Sequence, residues 1–363
     1  MPNQTDPPAP ETREHHPILD ALRFCLAFWV VMSHGAIFPL FAGMDESTRL
    51  GWIFVRGWNS VVFGVPAVIG FFIISGFCIH LPYRQDRPLA VGRYYARRYI
   101  RILLPVFGYV ILYRLLGNSQ PLLGAHSILY EGVLWSLLCE EVYYAVYPLT
   151  RWVRKTAGWS VLLPSAFAVG ALTAAANFHE VNWTTVNPLA MAVILFPVWL
   201  LGCLLAEQSG RLPAIQSSRT IWKWRLFAWA ASWVCGVLHY QLGLHLIQTM
   251  PWFGVIAYFW IKREIAYGAS RSPAAVLVSA GAWSYSLYLV HAPTMILFSR
   301  LKLPSFGYLV DWFLLIGFVL GMAYLYYILI ERPAHRLARM AGSARRIKTA
   351  PFPVPSALTT SSD

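Results

Sequence analysis

The stretch LDALRFCLAFWVVMSHG, residues 19–35, is an apolar run that carries an arginine, Arg23, and a histidine, His34. Similar apolar runs recur along the 363 residues, and roughly 20 residues of helix suffice to cross a bilayer. The chain is 57% hydrophobic and 12% charged, with a mean hydropathy of +0.51, and its charged fraction is about half that of a soluble domain. These features predict an all-α polytopic membrane protein and argue against a soluble domain.

Ten segments are predicted to cross the membrane, and they cover residues 18–40, 61–82, 99–117, 132–150, 160–177, 188–206, 226–242, 250–262, 275–299 and 308–330. With the N-terminus in the cytoplasm, 23 of the 29 Lys and Arg residues fall in cytoplasmic segments and five on the outer side. This asymmetry follows the positive-inside rule, so both termini are predicted to be cytoplasmic. Because topology accounts for the net charge of +13, no nucleic-acid partner is predicted.

The chain is predicted to comprise a cytoplasmic N-terminal segment, residues 1–17, one integral membrane domain, residues 18–336, and a cytoplasmic tail, residues 337–363. The tail is rich in Ser, Thr and Pro towards its end and is predicted to be disordered. No cleavable signal peptide is predicted, because the first apolar run is too long. The five cysteines lie in apolar runs without a CxxC pair, which predicts neither a disulfide nor a metal site.

Arg23 and His34 are eleven positions apart, which on an α-helix gives three turns plus roughly 20° and places both on one face. The same spacing separates them by roughly 16 Å along the helix axis. An ionisable residue inside a membrane span indicates a functional site by default. The alternatives are that Arg23 extends to lipid headgroups and that His34 is a neutral histidine hydrogen-bonded between helices.

A second polar cluster lies in LWSLLCEEVYYAVYPL, residues 134–149. Glu140 and Glu141 are adjacent, and consecutive helical positions diverge by about 100°, so the two carboxyl groups are predicted to face different neighbours. One acid is expected at the reaction centre and the other beside a base on another helix. The alternative is that both acids lie at the outer end of the span and contact water.

The segment RQDRPLAVGRYYARRYIRILLP, residues 84–105, contains six arginines. Arg97 and Arg101 are helix neighbours at i,i+4, and Arg98 and Arg101 are neighbours at i,i+3. Such a cluster is suited to bidentate binding of an anionic, phosphate-bearing cofactor. Contact with lipid phosphates, together with the positive-inside rule, is the alternative.

Two other spans contain polar or small residues that suggest a site. Ser75 and Gly76, near the end of the second span, allow another helix or a ligand to approach closely. The ninth span contains WSYSLYLVHAP, in which His291 follows Tyr288 by three positions and is its helix neighbour. Helix packing at Gly76 and an aromatic belt near the outer membrane surface are the alternatives.

In combination, these elements resemble the membrane-bound acyltransferase family 3, whose members O-acylate sugars, polysaccharides and some antibiotics in bacteria. The similarity extends over residues 18 to about 336. Its elements, in order, are Arg23-x10-His34, FFIISG (71–76), RRYIR (97–101), WSLLCEE (135–141), SYSLYLVH (284–291) and ERP (331–333). Each pattern alone is short, but six in order make a specific match. Val142 stands where the family often has Gln, which leaves the partner of Glu141 open.

The resemblance implies a role for each matching position. His34 would be the catalytic base and Arg23 its essential partner. Arg97, Arg98 and Arg101 would bind the phosphates of the cofactor, and a turn at Ser75–Gly76 would shape the cofactor site. Glu140 or Glu141 would support catalysis. Weaker contacts with the substrate are expected from Trp135, Tyr288 and His291. The implied donor is acetyl-CoA or another acyl-CoA, without a metal. The implied acceptor is a saccharide, lipid-linked glycan or glycoside hydroxyl.

Acyl transfer requires a base for the hydroxyl proton, and the ordinary pKa of histidine, about 6.5, suits that task. An acyl-histidine intermediate is the other possible course. The implied location is the bacterial cytoplasmic membrane, with membrane lipid as surroundings and a separate extracytoplasmic transferase as an alternative recipient of the acyl group. A proton-coupled transporter or flippase and a nonenzymatic sensor or scaffold are the competing functions.

Overall fold

The computed structural model describes residues 15–121, 127–128, 132–178 and 187–343. Every regular element in these ranges is a helix, which confirms the all-α prediction. Most of the predicted N-terminal segment, residues 1–14, lies outside the described residues, as does the end of the predicted tail, residues 344–363.

The described ranges contain a series of α-helices in chain order. They are α1 Pro17–Ser33, α2 Arg49–Val61, α3 Val65–His80, α4 Val91–Leu115, α5 Leu134–Ala157, α6 Trp159–Ala176, α7 Pro188–Gln208, α8 Ser218–Tyr240, α9 Leu246–Gly268, α10 Ala275–Gly281, α11 Ser284–Arg300, α12 Tyr308–Tyr326 and α13 Arg332–Ser343. Helix α3 lies at the centre of the bundle, where it packs against α1, α7 and α9.

Within the described residues, four helical stretches are long and apolar enough to cross a membrane. They are Arg49–Asp86, Trp159–Ala176, Pro188–Arg211 and Tyr308–Ala341. The pair α10 and α11, bent by 70°, is a fifth if it counts as one span. Each of the ten predicted spans overlaps a helix, but the other crossings and the cytoplasmic position of the termini stay predictions.

The first helix is shorter than the predicted span 18–40. Pro17 occupies its first turn and Asp20 places a negative charge there, two features that favour a helix start. The helix ends at Ser33, and Gly35 follows with φ +98°, a left-handed conformation that glycine adopts without strain. His34 therefore caps the helix. We call the end of the bundle at which α1 begins the inner end, and the end at which α1 finishes the outer end.

Helices α3 and α7 approach each other at backbone distance. A Cβ atom on Gly76 would lie 2.1 Å from the carbonyl oxygen of Trp199, and one on Gly202 would lie 2.0 Å from that of Ile73. The prediction of a turn at Ser75–Gly76 is therefore wrong, because both residues lie inside α3. Gly76 allows close packing of two apolar helices, as small residues do in membrane proteins.

Two further features differ from the sequence prediction. Helix α2 lies where an outer loop was predicted, and it begins where the Thr48 hydroxyl accepts a hydrogen bond from the Gly51 amide. Helix α13 continues through Ser343, so the predicted disorder from residue 337 is wrong for its first seven residues. Ala334 and Ala338, one turn apart, are buried, and α13 packs on α4. This apolar face holds the segment in a helix.

Candidate functional site

Arg23 points into the bundle near its inner end. Its Nη2 donates to the Cys78 sulfur on α3 at 3.1 Å, and its Nη1 lies 3.4 Å from an Asp20 carboxylate oxygen. The side chain is 26% exposed. Arg23 also interacts electrostatically with Glu140 and Tyr144 on α5. These interactions make Arg23 part of a site between helices, whereas extension to lipid headgroups would turn it away from α3 and α5.

A chain of hydrogen bonds links α7, α3 and α5 beside Arg23. The Trp199 indole donates to Ser75 Oγ at 3.3 Å, and Ser75 Oγ lies 2.9 Å from the Tyr144 hydroxyl. The Tyr144 hydroxyl in turn donates to Glu140. Because Tyr144 gives its only proton to Glu140, Ser75 donates to Tyr144, and the chain converges on the Glu140 carboxylate.

The two adjacent acids face different surroundings, as their helical positions predict. Glu140 accepts from Tyr144, whereas both carboxyl oxygens of Glu141 are buried with no hydrogen-bond partner among the described residues. Arg98 interacts electrostatically with Glu141, and its guanidinium lies 5.6 Å from the centre of the Tyr144 ring. Arg98 therefore lies near Glu141 and over the face of the Tyr144 ring.

The arginines of α4 extend this cluster. Arg101 interacts electrostatically with Arg98 and Arg23, and its Nε donates to His335 on α13 at 3.0 Å. Arg97 lies on the same helix and is exposed. Four predicted residues of the inner end, Arg23, Arg98 and the two glutamates, are thus drawn together with Arg101. We call Arg23, Arg98, Arg101, Glu140, Glu141 and Tyr144 the inner cluster.

Glu331 of the terminal ERP element lies just before α13 and contacts residues of α11 and α13 near the inner cluster. Glu331, buried in a π-helical turn, accepts hydrogen bonds from the Ser286 amide at 3.0 Å and the Ser286 hydroxyl at 2.5 Å. A Glu331 oxygen lies 3.5 Å from His335, which holds Arg101. Sequence reasoning quoted ERP and SYSLYL as motifs but assigned no role to Glu331, His335 or Tyr144. The sequence features that point to these residues are the ERP motif itself and, for Tyr144, its i,i+4 spacing from Glu140.

His34 lies at the outer end with a defined arrangement of its ring. Its Nδ1 lies 2.8 Å from the Val30 carbonyl and 3.2 Å from the Ser33 hydroxyl, which itself donates to Val30. Both oxygens can only accept at these contacts, so Nδ1 carries the proton and Nε2 presents a lone pair in the neutral ring. The side chain is exposed rather than buried between helices. A histidine with a bare Nε2 can accept a proton.

His291 packs directly against His34, with ring centres 4.9 Å apart and an interplanar angle of 59°. It is fully buried, and its Nδ1 lies 2.8 Å from the Tyr288 carbonyl. The Tyr288 hydroxyl contacts the Ser136 hydroxyl at 2.6 Å and the Val133 carbonyl at 3.2 Å. These bonds fix α11 against the start of α5.

A cavity of about 740 Å³ lies at the outer end, and His34 forms part of its wall. Two residues predicted to contact substrate, Trp135 and Tyr288, also line it. Helix α2 contributes Trp52 and Arg56, which sequence reasoning missed because this segment was taken for a loop. A pocket that combines aromatic walls with a few polar groups is typical of small-molecule sites.

In the part of the chain that the structure describes, no group of three or more His, Cys, Asp and Glu residues could hold a metal ion. All five cysteines are free thiols. The predicted absence of a metal stays a prediction.

Comparison with known proteins gives a consistent result. A family model described as an acyltransferase domain matches residues 16–328, which include every predicted site residue. Nodulation protein 10 of Rhizobium leguminosarum bv. viciae is 23% identical over 382 residues, which cover 93% of this chain and 97% of that protein. Acyltransferase MdmB of Streptomyces mycarofaciens is 25% identical over 386 residues, which cover 93% of this chain and 95% of that protein. No solved structure matches this chain.

Proposed function

This chain belongs to the membrane-bound acyltransferase family 3. We propose that it is an O-acyltransferase that moves an acyl group from acyl-CoA to a hydroxyl of a saccharide or glycoside, with acetyl as the proposed acyl group. The observation that carries this proposal is the environment of His34. Its Nδ1 is held by the Val30 carbonyl, and its ring lines a cavity of about 740 Å³, so that Nε2 is available to a bound hydroxyl.

The donor is proposed to bind at the inner cluster. Arg98 and Arg101, with Arg97 beside them, would contact the phosphates of CoA, because guanidinium groups bind phosphate by paired charge-assisted hydrogen bonds. Arg101 interacts with both Arg23 and Arg98, so a phosphate group bound there would contact more than one guanidinium. The helical rise between Arg23 and His34 is roughly 16 Å, a distance that the flexible arm of CoA would bridge.

The proposed transfer is direct. The acceptor hydroxyl gives its proton to His34 Nε2 while its oxygen bonds to the thioester carbonyl carbon. The bond from that carbon to sulfur breaks, and the proton passes from His34 to the sulfur of CoA. Arg23, Glu140 and Tyr144 would together shape the inner end, where the donor binds. An acyl-histidine intermediate is the alternative course.

The acceptor is proposed to occupy the outer cavity. The rings of Trp52, Trp135 and Tyr288 offer apolar surfaces, and the polar groups of the wall offer hydrogen bonds to hydroxyls. Transfer would take place in the bacterial cytoplasmic membrane, either to a saccharide, lipid-linked glycan or glycoside, or to a separate extracytoplasmic transferase that completes it.

The test is acyl transfer by the full chain reconstituted in lipid vesicles. Radiolabelled acetyl-CoA is supplied with the glycan and glycoside fraction extracted from host cells that lack the gene. We expect label in base-labile ester linkage with the wild type and none with His34→Ala. Proton flux that is independent of acyl-CoA, without ester formation, would identify the transporter alternative. Activity of His34→Ala equal to that of the wild type would contradict the role of His34.

A further inference from the structure

The buried ring of His291 has a fixed orientation of its proton. Its Nδ1 lies 2.8 Å from the Tyr288 carbonyl oxygen, which can only accept, so Nδ1 carries the proton of the neutral ring. Its Nε2 is then a bare acceptor. This atom is buried and has no hydrogen-bond partner within residues 15–121, 127–128, 132–178 and 187–343. A buried acceptor that lacks a partner is unfavourable and calls for a physical explanation.

The ring that packs against His291 is that of His34, with centres 4.9 Å apart. In the proposed mechanism His34 begins as a neutral base, and the proton on its Nδ1 is directed at the Val30 carbonyl. It therefore has no ring proton to donate to the Nε2 lone pair of His291 in that state. Once His34 takes the hydroxyl proton its ring becomes a cation, whose centre lies 4.9 Å from the centre of a ring with a bare, unpartnered Nε2. A lone pair at that range stabilises positive charge.

We propose that His291 is a positioning residue for His34, whose Nε2 lone pair stabilises the imidazolium that forms during acyl transfer. This proposal rests on the proposed function. Because the stabilised charge is absent from the ground state, the interaction lowers the barrier rather than strengthening substrate binding. His291 neither takes nor gives a proton: the hydroxyl proton goes to His34 and then to the departing CoA sulfur.

The Tyr288 carbonyl makes this arrangement stable. It holds the Nδ1 proton of His291 in place, and the Tyr288 hydroxyl is fixed on α5 by Ser136 and Val133. The dipole of His291 is therefore oriented before the reaction and does not reorganise during it, which is the condition under which a dipole is most effective in catalysis.

Two amide substitutions distinguish the role of His291 Nδ1 from that of His291 Nε2. The amide of His291→Asn lies at the level of Nδ1, so it keeps the contact with Tyr288 and removes the acceptor at Nε2. The amide of His291→Gln reaches the level of Nε2 and restores an acceptor there. The control is His245→Asn, because His245 also has a buried ring nitrogen without a partner among the described residues but packs on Phe178 instead of His34.

The assay is the reconstituted transfer reaction, with kcat and the KM for acetyl-CoA and for the glycan and glycoside extract measured separately. We expect His291→Asn to lower kcat by roughly 10- to 100-fold, at or below the loss caused by removing one preorganised dipole, with both KM values unchanged. His291→Gln recovers most of kcat, and His245→Asn has the wild-type value. Equal losses in the Asn and Gln variants with a lowered melting temperature, or wild-type kcat in both, overturn the proposal.

A second measurement does not require activity. Nitrogen chemical shifts of the ¹⁵N-histidine-labelled protein report which nitrogen of each ring is protonated. We expect the Nδ1–H form at His291, with its signal assigned by its disappearance in His291→Gln. A proton on Nε2 overturns the proposal whatever the enzyme does. Absence of transfer by the wild type, with the expected tautomer present, contradicts the proposed function instead.

Discussion

Tyr144→Phe is predicted to destabilise the protein more than the same change one position earlier. The substitution removes a single oxygen, which donates to Glu140 and contacts Ser75 Oγ at 2.9 Å. The matched control is Tyr143→Phe. Tyr143 is also buried in α5, but its hydroxyl makes one neutral bond, to the Ala192 carbonyl at 3.0 Å.

The expected magnitudes follow from these contacts. A side-chain hydrogen bond between membrane helices is worth about 0.6 kcal/mol on average and about 1.7 kcal/mol at most. Tyr143→Phe loses one ordinary bond and should cost about 0.6 kcal/mol. Tyr144→Phe loses one ordinary bond and one to the partly buried Glu140 carboxylate, which then lacks this donor, so we expect about 2 kcal/mol, or roughly 30-fold in the folding equilibrium.

The assay is unfolding in mixed micelles by increasing mole fraction of sodium dodecyl sulfate, followed by tryptophan fluorescence. The free energy of unfolding of the two variants is compared with that of the wild type. Equal destabilisation by the two variants would refute the reasoning, because it would mean that the contact with the Glu140 carboxylate adds nothing beyond an ordinary bond.

Two further predictions concern packing and the outer cavity. Gly76→Ala would place a methyl group 2.1 Å from the Trp199 carbonyl oxygen, so α3 and α7 must separate, and we expect a loss of roughly 1–3 kcal/mol in the same unfolding assay. Gly92→Ala, where nothing lies within 4 Å, should not destabilise, and a similar loss there would contradict the packing argument. Trp52→Ala should raise the KM for the acceptor extract several-fold without changing the KM for acetyl-CoA. Trp152→Ala, on an exposed face of α5, should change neither, and an unchanged acceptor KM in Trp52→Ala would exclude α2 from acceptor binding.

The helical class and several helix-face relations could be predicted from the sequence because they depend on local periodicity. The divergence of Glu140 and Glu141 is such a case, since adjacent positions on any α-helix point in different directions. These relations require no knowledge of which helices are neighbours.

Contacts between distant segments could not be predicted in this way. The link from Glu331 to Ser286 joins residues 45 positions apart, and the link from Arg101 to His335 joins residues 234 positions apart. Both depend on how α4, α11 and α13 pack, which no single helix encodes. The failed prediction of a turn at Ser75–Gly76 has the same origin, because glycine can serve a turn or a close helix contact, and only the position of α7 decides between them.

The accuracy of the predicted helix boundaries was limited by a different factor, the local backbone conformation. The span predicted to run to residue 40 ends at Ser33 because Gly35 adopts a positive φ, although apolar residues continue beyond it. Hydropathy does not register that backbone change. The consequence is functional, because the end of α1 leaves His34 as a cap whose ring is exposed at the cavity.

The central claim is that the inner cluster binds the acyl donor and that His34 carries out the transfer. It is tested most directly by measuring CoA binding and acyl transfer in parallel for reconstituted His34→Ala, Arg98→Ala and Arg101→Ala. We expect His34→Ala to abolish transfer with CoA affinity unchanged, and each arginine variant to weaken CoA binding. Equal loss of CoA binding in all three variants would contradict this division between the two ends of the bundle.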